Sequence, residues 1–282
     1  MRVGAGLPAG VPGTRGELIL DWARKADEGP FTSVAVVDRY AYDCFDSLTT
    51  LSAAAAVTSR VRLATTIVIA PLRNTATLAK IAATVDAIAG GRLVLGLAVG
   101  AREDDYQVAR VDYHQRGRIL TEQLASLRNL WESDRFGPRP VRAGAPEILV
   151  GGLSDQAFAR AARYADGYVH GGGPPRSFGR AADRARAAWR DAGRPGMPQL
   201  WGQGYFALGD GAADRGAAYL NDYYAFTGPF AEKIAAGLLT TPQSVIQYIR
   251  GYEEAGCDEL VLLPTIAEPG QLDRLAETVA LL

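Results

Sequence analysis

The chain has 282 residues, 48% of them hydrophobic and 22% charged, which suits one or two ordinary domains. A net charge of −1, from 30 basic and 31 acidic residues, gives no electrostatic reason to expect nucleic acid or a membrane surface as partner. The two cysteines, Cys44 and Cys257, are far apart and lack metal-site spacing, which argues against a disulfide scaffold and for a reducing compartment.

Scarcity narrows the chemistry. The three lysines, Lys25, Lys80 and Lys233, all fall in helical patterns, so a Schiff-base lysine at a strand end is not expected. With only His114 and His170, a three-histidine zinc site is impossible, and no metal is assigned. Met1–Leu7 has no apolar run of signal-peptide length, and the longest apolar stretches are strand-sized. The expectation is a cytoplasmic protein acting on a small molecule.

Along the chain, short β-branched runs alternate with longer helical ones. A first strand is expected over 2–7, and Thr14-Arg15-Gly16-Glu17 reads as a capping box at a helix start. The run Ser33 to Asp38 is apolar up to its last residue, as in a strand buried on both faces. A helix over 46–59 follows, then a third strand over 61–70, closed by Pro71. Asn74 caps the next helix and Gly90-Gly91 stops it. A fourth strand spans 92–99. A long connection, 100–146, carries helices near 103–108 and 115–132.

A fifth strand at 147–150 leads to a helix capped by Ser154. A sixth, 167–170, runs into Gly171-Gly172-Gly173-Pro174-Pro175 and a helix over 177–191. The seventh, 199–208, is followed by helical segments at 212–237 and 242–255, the latter with Thr241 as cap and Pro242 in its first turn. An eighth strand, 259–263, and a last helix finish the chain. Strict alternation implies parallel strands joined by right-handed crossovers. Eight repeats in this length favour a (β/α)₈ TIM barrel, one domain over 1–282, with an extended connection after strand four and a helical excursion after strand seven.

In such a barrel the chemistry sits at the C-terminal ends of the strands. Gly151-Gly152-Leu153-Ser154 is the clearest anion feature there: glycines admit a ligand to the backbone, and a helix N-terminus follows. A tight turn with an ordinary serine cap explains it equally. His170 faces the same end before its glycines, either lining the pocket or serving structure. Asp38, ending an apolar strand, reaches a ligand or pairs with Arg39 or another rim arginine. Arg102 to Asp105 read as a solvated helical turn or as rim residues. Tyr223, Tyr224 and Phe226 read as core or as a lid.

The same stretches resemble the bacterial luciferase-like monooxygenase superfamily. Ala64 to Asn74, Asp86 to Gly100, Arg116-Gly117-Arg118, Val150-Gly151-Gly152, Ala162 to Gly167 and Ala255 to Leu260 occur in the family's order, over roughly residues 30 to 265. The resemblance implies a barrel, often a homodimer, that binds FMN or the deazaflavin coenzyme F420. The cofactor's phosphate would lie near Gly151 to Ser154, and a non-proline cis peptide is expected near Ile67-Val68. It extends the cofactor-binding candidates to Asp38, Ile67, Val68, Gly100, Gly151, Gly152, Leu153, Ser154, Gly171 and Gly172. The histidine that many relatives carry after the second strand's acid is replaced by Arg39 and Tyr40. These two and His170 are therefore the catalytic candidates.

Three functions follow. One is a monooxygenase using oxygen and reduced FMN from a separate flavin reductase. Another is an F420-dependent hydride-transfer enzyme. The last is a non-catalytic flavin-binding subunit.

Overall fold

Runs such as Leu93–Ala98, apolar on both faces, can be buried only in a sheet covered on both sides, and that is where they lie. In the computed structural model, which describes residues 1–142 and 146–282, the strands are β1 (Arg2–Gly6), β2 (Ser33–Val36), β3 (Arg62–Thr65), β4 (Val68–Ile69), β5 (Leu93–Ala98), β6 (Glu147–Gly151), β7 (Gly167–Val169), β8 (Gln199–Phe206) and β9 (Glu259–Pro264). All neighbours pair in parallel. Pairing of β3 with β5 (Leu63↔Leu93) closes the ring, and β3 and β4 share one stave, so the barrel has the expected eight.

Between the strands run α1 (Gly16–Glu28), α2 (Ser47–Val57), α3 (Thr75–Ile88), α4 (Glu103–Ala109), α5 (Arg116–Glu132), α6 (Asp155–Tyr164), α7 (Pro175–Asp191), α8 (Ala212–Tyr223), α9 (Phe230–Ala235), α10 (Pro242–Glu254) and α11 (Pro269–Val279). Helices α4 and α5 fill the long connection after the fourth stave, and α8 and α9 form the excursion after the seventh. Asn74 and Ser154 cap their helices as expected, and Thr241 closes a capping box with Ser244. Thr14 does not form one. Its hydroxyl donates to the carbonyls of Pro8 and Val11, and Arg15 takes the cap position of α1.

The third strand, expected unbroken over 61–70, is split. The Cβ that Gly96 lacks would sit 2.1 Å from the Thr65 carbonyl oxygen, so at this point the chain presses directly on β5. It then leaves the ladder and rejoins it at Val68↔Leu97. The cis peptide lies at Thr66-Ile67, one bond earlier than expected.

The core has two shells. Most apolar side chains fill the layer between barrel and helices. A smaller cluster fills the barrel itself, with Ala35 and Ala64 leaving room for Trp201, and with Val37, Ile67 and Tyr205 half-buried against it. Arg62 lies over the Trp201 ring at 5.0 Å and pairs with Glu147 at 2.6 Å and Glu259 at 3.7 Å. These residues start their strands, so charge seals the N-terminal end and leaves the opposite end for function.

Candidate active site

The rim after β2 is built on a buried carboxylate. Both Asp38 oxygens are used twice: Oδ1 accepts from Ser47 Oγ (2.8 Å) and Arg73 (2.9 Å), Oδ2 from the Ile69 amide (2.9 Å) and Arg73 (2.7 Å). One side chain thus ties the end of β2, the start of α2 and the restart of the split strand together. Its partner is a rim arginine, Arg73, which also pairs with Asp46 at 2.8 Å.

Arg39 and Tyr40 lie on the next segment. Arg39 is buried and donates to Asp105 (2.8 Å) and Asp104 (3.1 Å). Asp105, fully buried, also accepts from the Tyr40 and Ala41 amides at 2.8 and 2.7 Å. The turn Arg102–Asp105 is therefore not simply solvated: Arg102 and Asp105 face inward, because the turn must grip the loop after β2. Tyr40 is about one-third exposed, with the Arg73 guanidinium 5.0 Å from its ring centre.

Across the barrel, β6 and β7 pair through Gly151↔Val169, which places their two glycine-rich loops side by side. Gly152 has φ +128°, a conformation that favours glycine, and an added Cβ would lie 2.8 Å from that of Ala157. The Ser154 side chain accepts from the Ala157 amide, so it is occupied as a cap, and Leu153 is exposed. The carbonyls here are largely taken. Tyr168 donates to Gly152, Arg184 to Leu153, Gln203 to Gly171, and Tyr248 and Tyr252 to Gly173. The N-terminus of α6 follows on one side, where the Asp155 and Gln156 amides have no intrahelical acceptor; α7 opens on Pro174 and Pro175, which carry no N–H, and the Ser177 amide bonds to the Pro174 carbonyl. With carbonyls tied back and the first amides of α6 left over, this shelf presents positive potential. A Cβ at Gly171 would meet nothing within 4 Å, so that stretch opens into free space.

His170 is buried beside this shelf. Its Nδ1 accepts from the Gly172 amide at 3.2 Å, which leaves the proton on Nε2. Burial pulls its pKa down from 6.5 to about 4, so the ring is a neutral donor near pH 7 rather than a stored acid.

The centre of the mouth contains residues that strand-end reading did not single out. Trp201, Gln203 and Tyr205 alternate along β8, and Trp201 and Tyr205 belong to the inner cluster. The Gln203 Oε1 is buried without a partner. Tyr205 and Tyr224 share a hydrogen bond of 2.8 Å between their hydroxyls, and burial raises both pKa values, so both phenols stay protonated. One mutual bond uses one of the two protons and leaves the other O–H free. Tyr223, Tyr224 and Phe226, from the end of α8 and the turn after it, thus form a cover over the mouth.

Of the other candidates, Ile67 packs against the inner cluster, while Val68 belongs to the layer facing the helices. Gly100, φ +68°, lies against Ile69. Arg184, which pairs with Asp155 at 2.6 Å, adds a cation at the shelf's outer edge. No local sequence signal pointed to it, since it comes from the middle of α7. Period-two reading of β8 would have pointed to Gln203 and Tyr205.

A closed barrel with an anion-favouring shelf and an aromatic cover at the C-terminal ends of its strands is a (β/α)₈ architecture, the class in which active sites lie at that end. The luciferase-like monooxygenase family model matches residues 1–254, and the chain belongs to that family. It is similar to an uncharacterized protein of Mycobacterium tuberculosis, 34% identical over 155 residues, covering 51% of this chain and 54% of that protein. It is also similar to the pyrimidine monooxygenase RutA of Cronobacter sakazakii, 32% identical over 174 residues, covering 53% of this chain and 50% of that one. The chain thus spans about half the length of these curated relatives. In fold it matches an F420-dependent secondary alcohol dehydrogenase, solved with an F420-acetone adduct, with a TM-score of 0.80, 17% identity and coverage of 99% and 98% of the two chains.

Proposed function

We propose that the protein is a flavin-dependent monooxygenase that uses reduced FMN, delivered by a separate reductase, and oxygen on a small organic substrate. The observation that carries this reading is the paired shelf after β6 and β7, whose carbonyls are tied back and whose α6 N-terminus suits a phosphate. The cofactor fits the residues present: Gly151, Gly152 and Leu153 with Arg184 would hold its phosphate, and Ile67 and Gly100 would wall it. The orphaned Gln203 Oε1 would accept from one of its N–H groups. A bound reduced flavin would supply the electrons that activate oxygen. The chain's own part is to orient, to exclude water through the tyrosine cover, and to donate a hydrogen bond from the Tyr205–Tyr224 pair.

The test is to titrate FMN and F420 into purified protein, then to follow oxygen uptake with reduced FMN and candidate substrates. Substrate-dependent oxygen uptake supports the reading, and turnover with reduced F420 in strict anaerobiosis overturns it. That second result would favour hydride transfer, for which the uncharged Tyr205–Tyr224 donor at the mouth is also suited, since it can polarise a carbonyl.

A further inference from the structure

Arg39 and Arg102 are both buried to more than nine-tenths, at 6% and 8% exposure. A guanidinium taken out of water needs a compensating charge. Arg39 has two, Asp104 and Asp105. Arg102 forms no ion pair with any described residue. Of the five N–H donors of a guanidinium, one is used, by the Tyr223 carbonyl. The rest of its environment is aromatic: it lies 4.4 Å from the Tyr223 ring centre, 5.7 Å from Tyr224 and 4.2 Å from Phe226. Burial lowers the pKa of Arg102, and Arg39 adds to this against opposing effects of Tyr223, Tyr224 and Asp105.

Its place in the fold gives this meaning. Arg102 follows the C-terminal end of β5, and its cage includes Tyr224, whose hydroxyl meets Tyr205 over the barrel interior. The cation without a carboxylate partner is thus part of the cover on the mouth. π faces hold a guanidinium in place without neutralising it, so its remaining donors stay available in a fixed geometry.

We propose that Arg102, caged by Tyr223, Tyr224 and Phe226, docks an oxyanion carried by the substrate, a carboxylate or sulfonate on an apolar body. The proposal rests on the reading of the barrel mouth as the active site and gives that site a substrate class. The aromatic cage takes the apolar body, and the guanidinium takes the two oxygens in a fork.

The experiment uses benzoate as the anionic probe and benzamide as its neutral counterpart, titrated calorimetrically into wild type, Arg102→Gln, Arg102→Lys and Phe226→Ala, with and without FMN. Wild type is expected to prefer benzoate at least tenfold. Arg102→Gln should abolish the preference and Arg102→Lys retain part of it. Phe226→Ala removes an exposed ring and leaves the guanidinium, so it should weaken both ligands and keep their ratio. Equal binding by wild type, or an unchanged preference in Arg102→Gln, overturns the proposal. The cofactor's phosphate is the other possible oxyanion, and it is read separately as the preference for FMN over riboflavin. A tenfold loss of that preference in Arg102→Gln moves the anion to the cofactor and overturns the substrate assignment. Failure of wild type to bind any flavin removes the flavin reading, while the benzoate preference is still scored on its own.

Discussion

Acidification tests the state assigned to His170. The folded ring has a pKa of about 4, lowered by burial, against 6.5 in the unfolded chain. Between those values the unfolded state binds the proton and the folded state does not, so stability rises with pH. The contribution is complete above pH 6.5 and is lost as pH falls toward 4. From pH 7 to 5 this residue alone costs about 2 kcal/mol. The assay is urea unfolding of wild type and His170→Asn at several pH values across that window. The variant keeps an acceptor for the Gly172 amide and removes the titration. Wild type should lose about 2 kcal/mol more than the variant over the window, and nitrogen NMR should show the Nε2–H tautomer throughout. Equal slopes, or a native His170 titrating near 6.5, would refute the claim that the ring is held neutral by burial.

Three further outcomes follow from the same geometry. Asp38→Asn breaks a buried pair, but Arg73 keeps Asp46, so the cost is about 2–4 kcal/mol. Thermal denaturation should show a midpoint lower by roughly 5–15 °C, with faster amide exchange at Ile69. Gly152→Val puts a branched side chain at φ +128°, against Ala157, and should weaken FMN binding at least tenfold by fluorescence quenching while the far-ultraviolet dichroism is kept. Asp27 is pushed up by burial, but amides of Val61, Ser59 and Arg60 bring its pKa down to about 2, below the unfolded 3.8. Its small contribution is present above pH 4 and lost toward pH 2, so acid unfolding of Asp27→Asn should converge with wild type there.

The staves were legible because a strand buried on both faces must be apolar throughout, and because Asn74, Ser154 and Thr241 put caps where helices begin. The break in the third strand was not. It arises from the close approach of Thr65 to Gly96, a contact between segments that no local pattern encodes. The same limit applied at the mouth. Strand ends named Asp38, Gly151, Gly152 and His170, but not which partner each would take. Arg102 read as part of a solvated helical turn or as a rim residue because three acids follow it in sequence, and only tertiary packing shows that one of them, Asp105, serves Arg39. Arg184 and Tyr224 reach the site from helices and turns whose orientation is set by the closed barrel.

On the proposed function, the shelf after β6 and β7 holds the phosphate of a flavin. The most direct measurement is the affinity of the purified protein for FMN against riboflavin, which differ in that phosphate, by quenching of flavin fluorescence at low and moderate salt. FMN is expected to bind more than tenfold tighter, with the difference shrinking in Gly152→Val. Equal affinity for the two flavins, or a preference untouched by Gly152→Val, would contradict it.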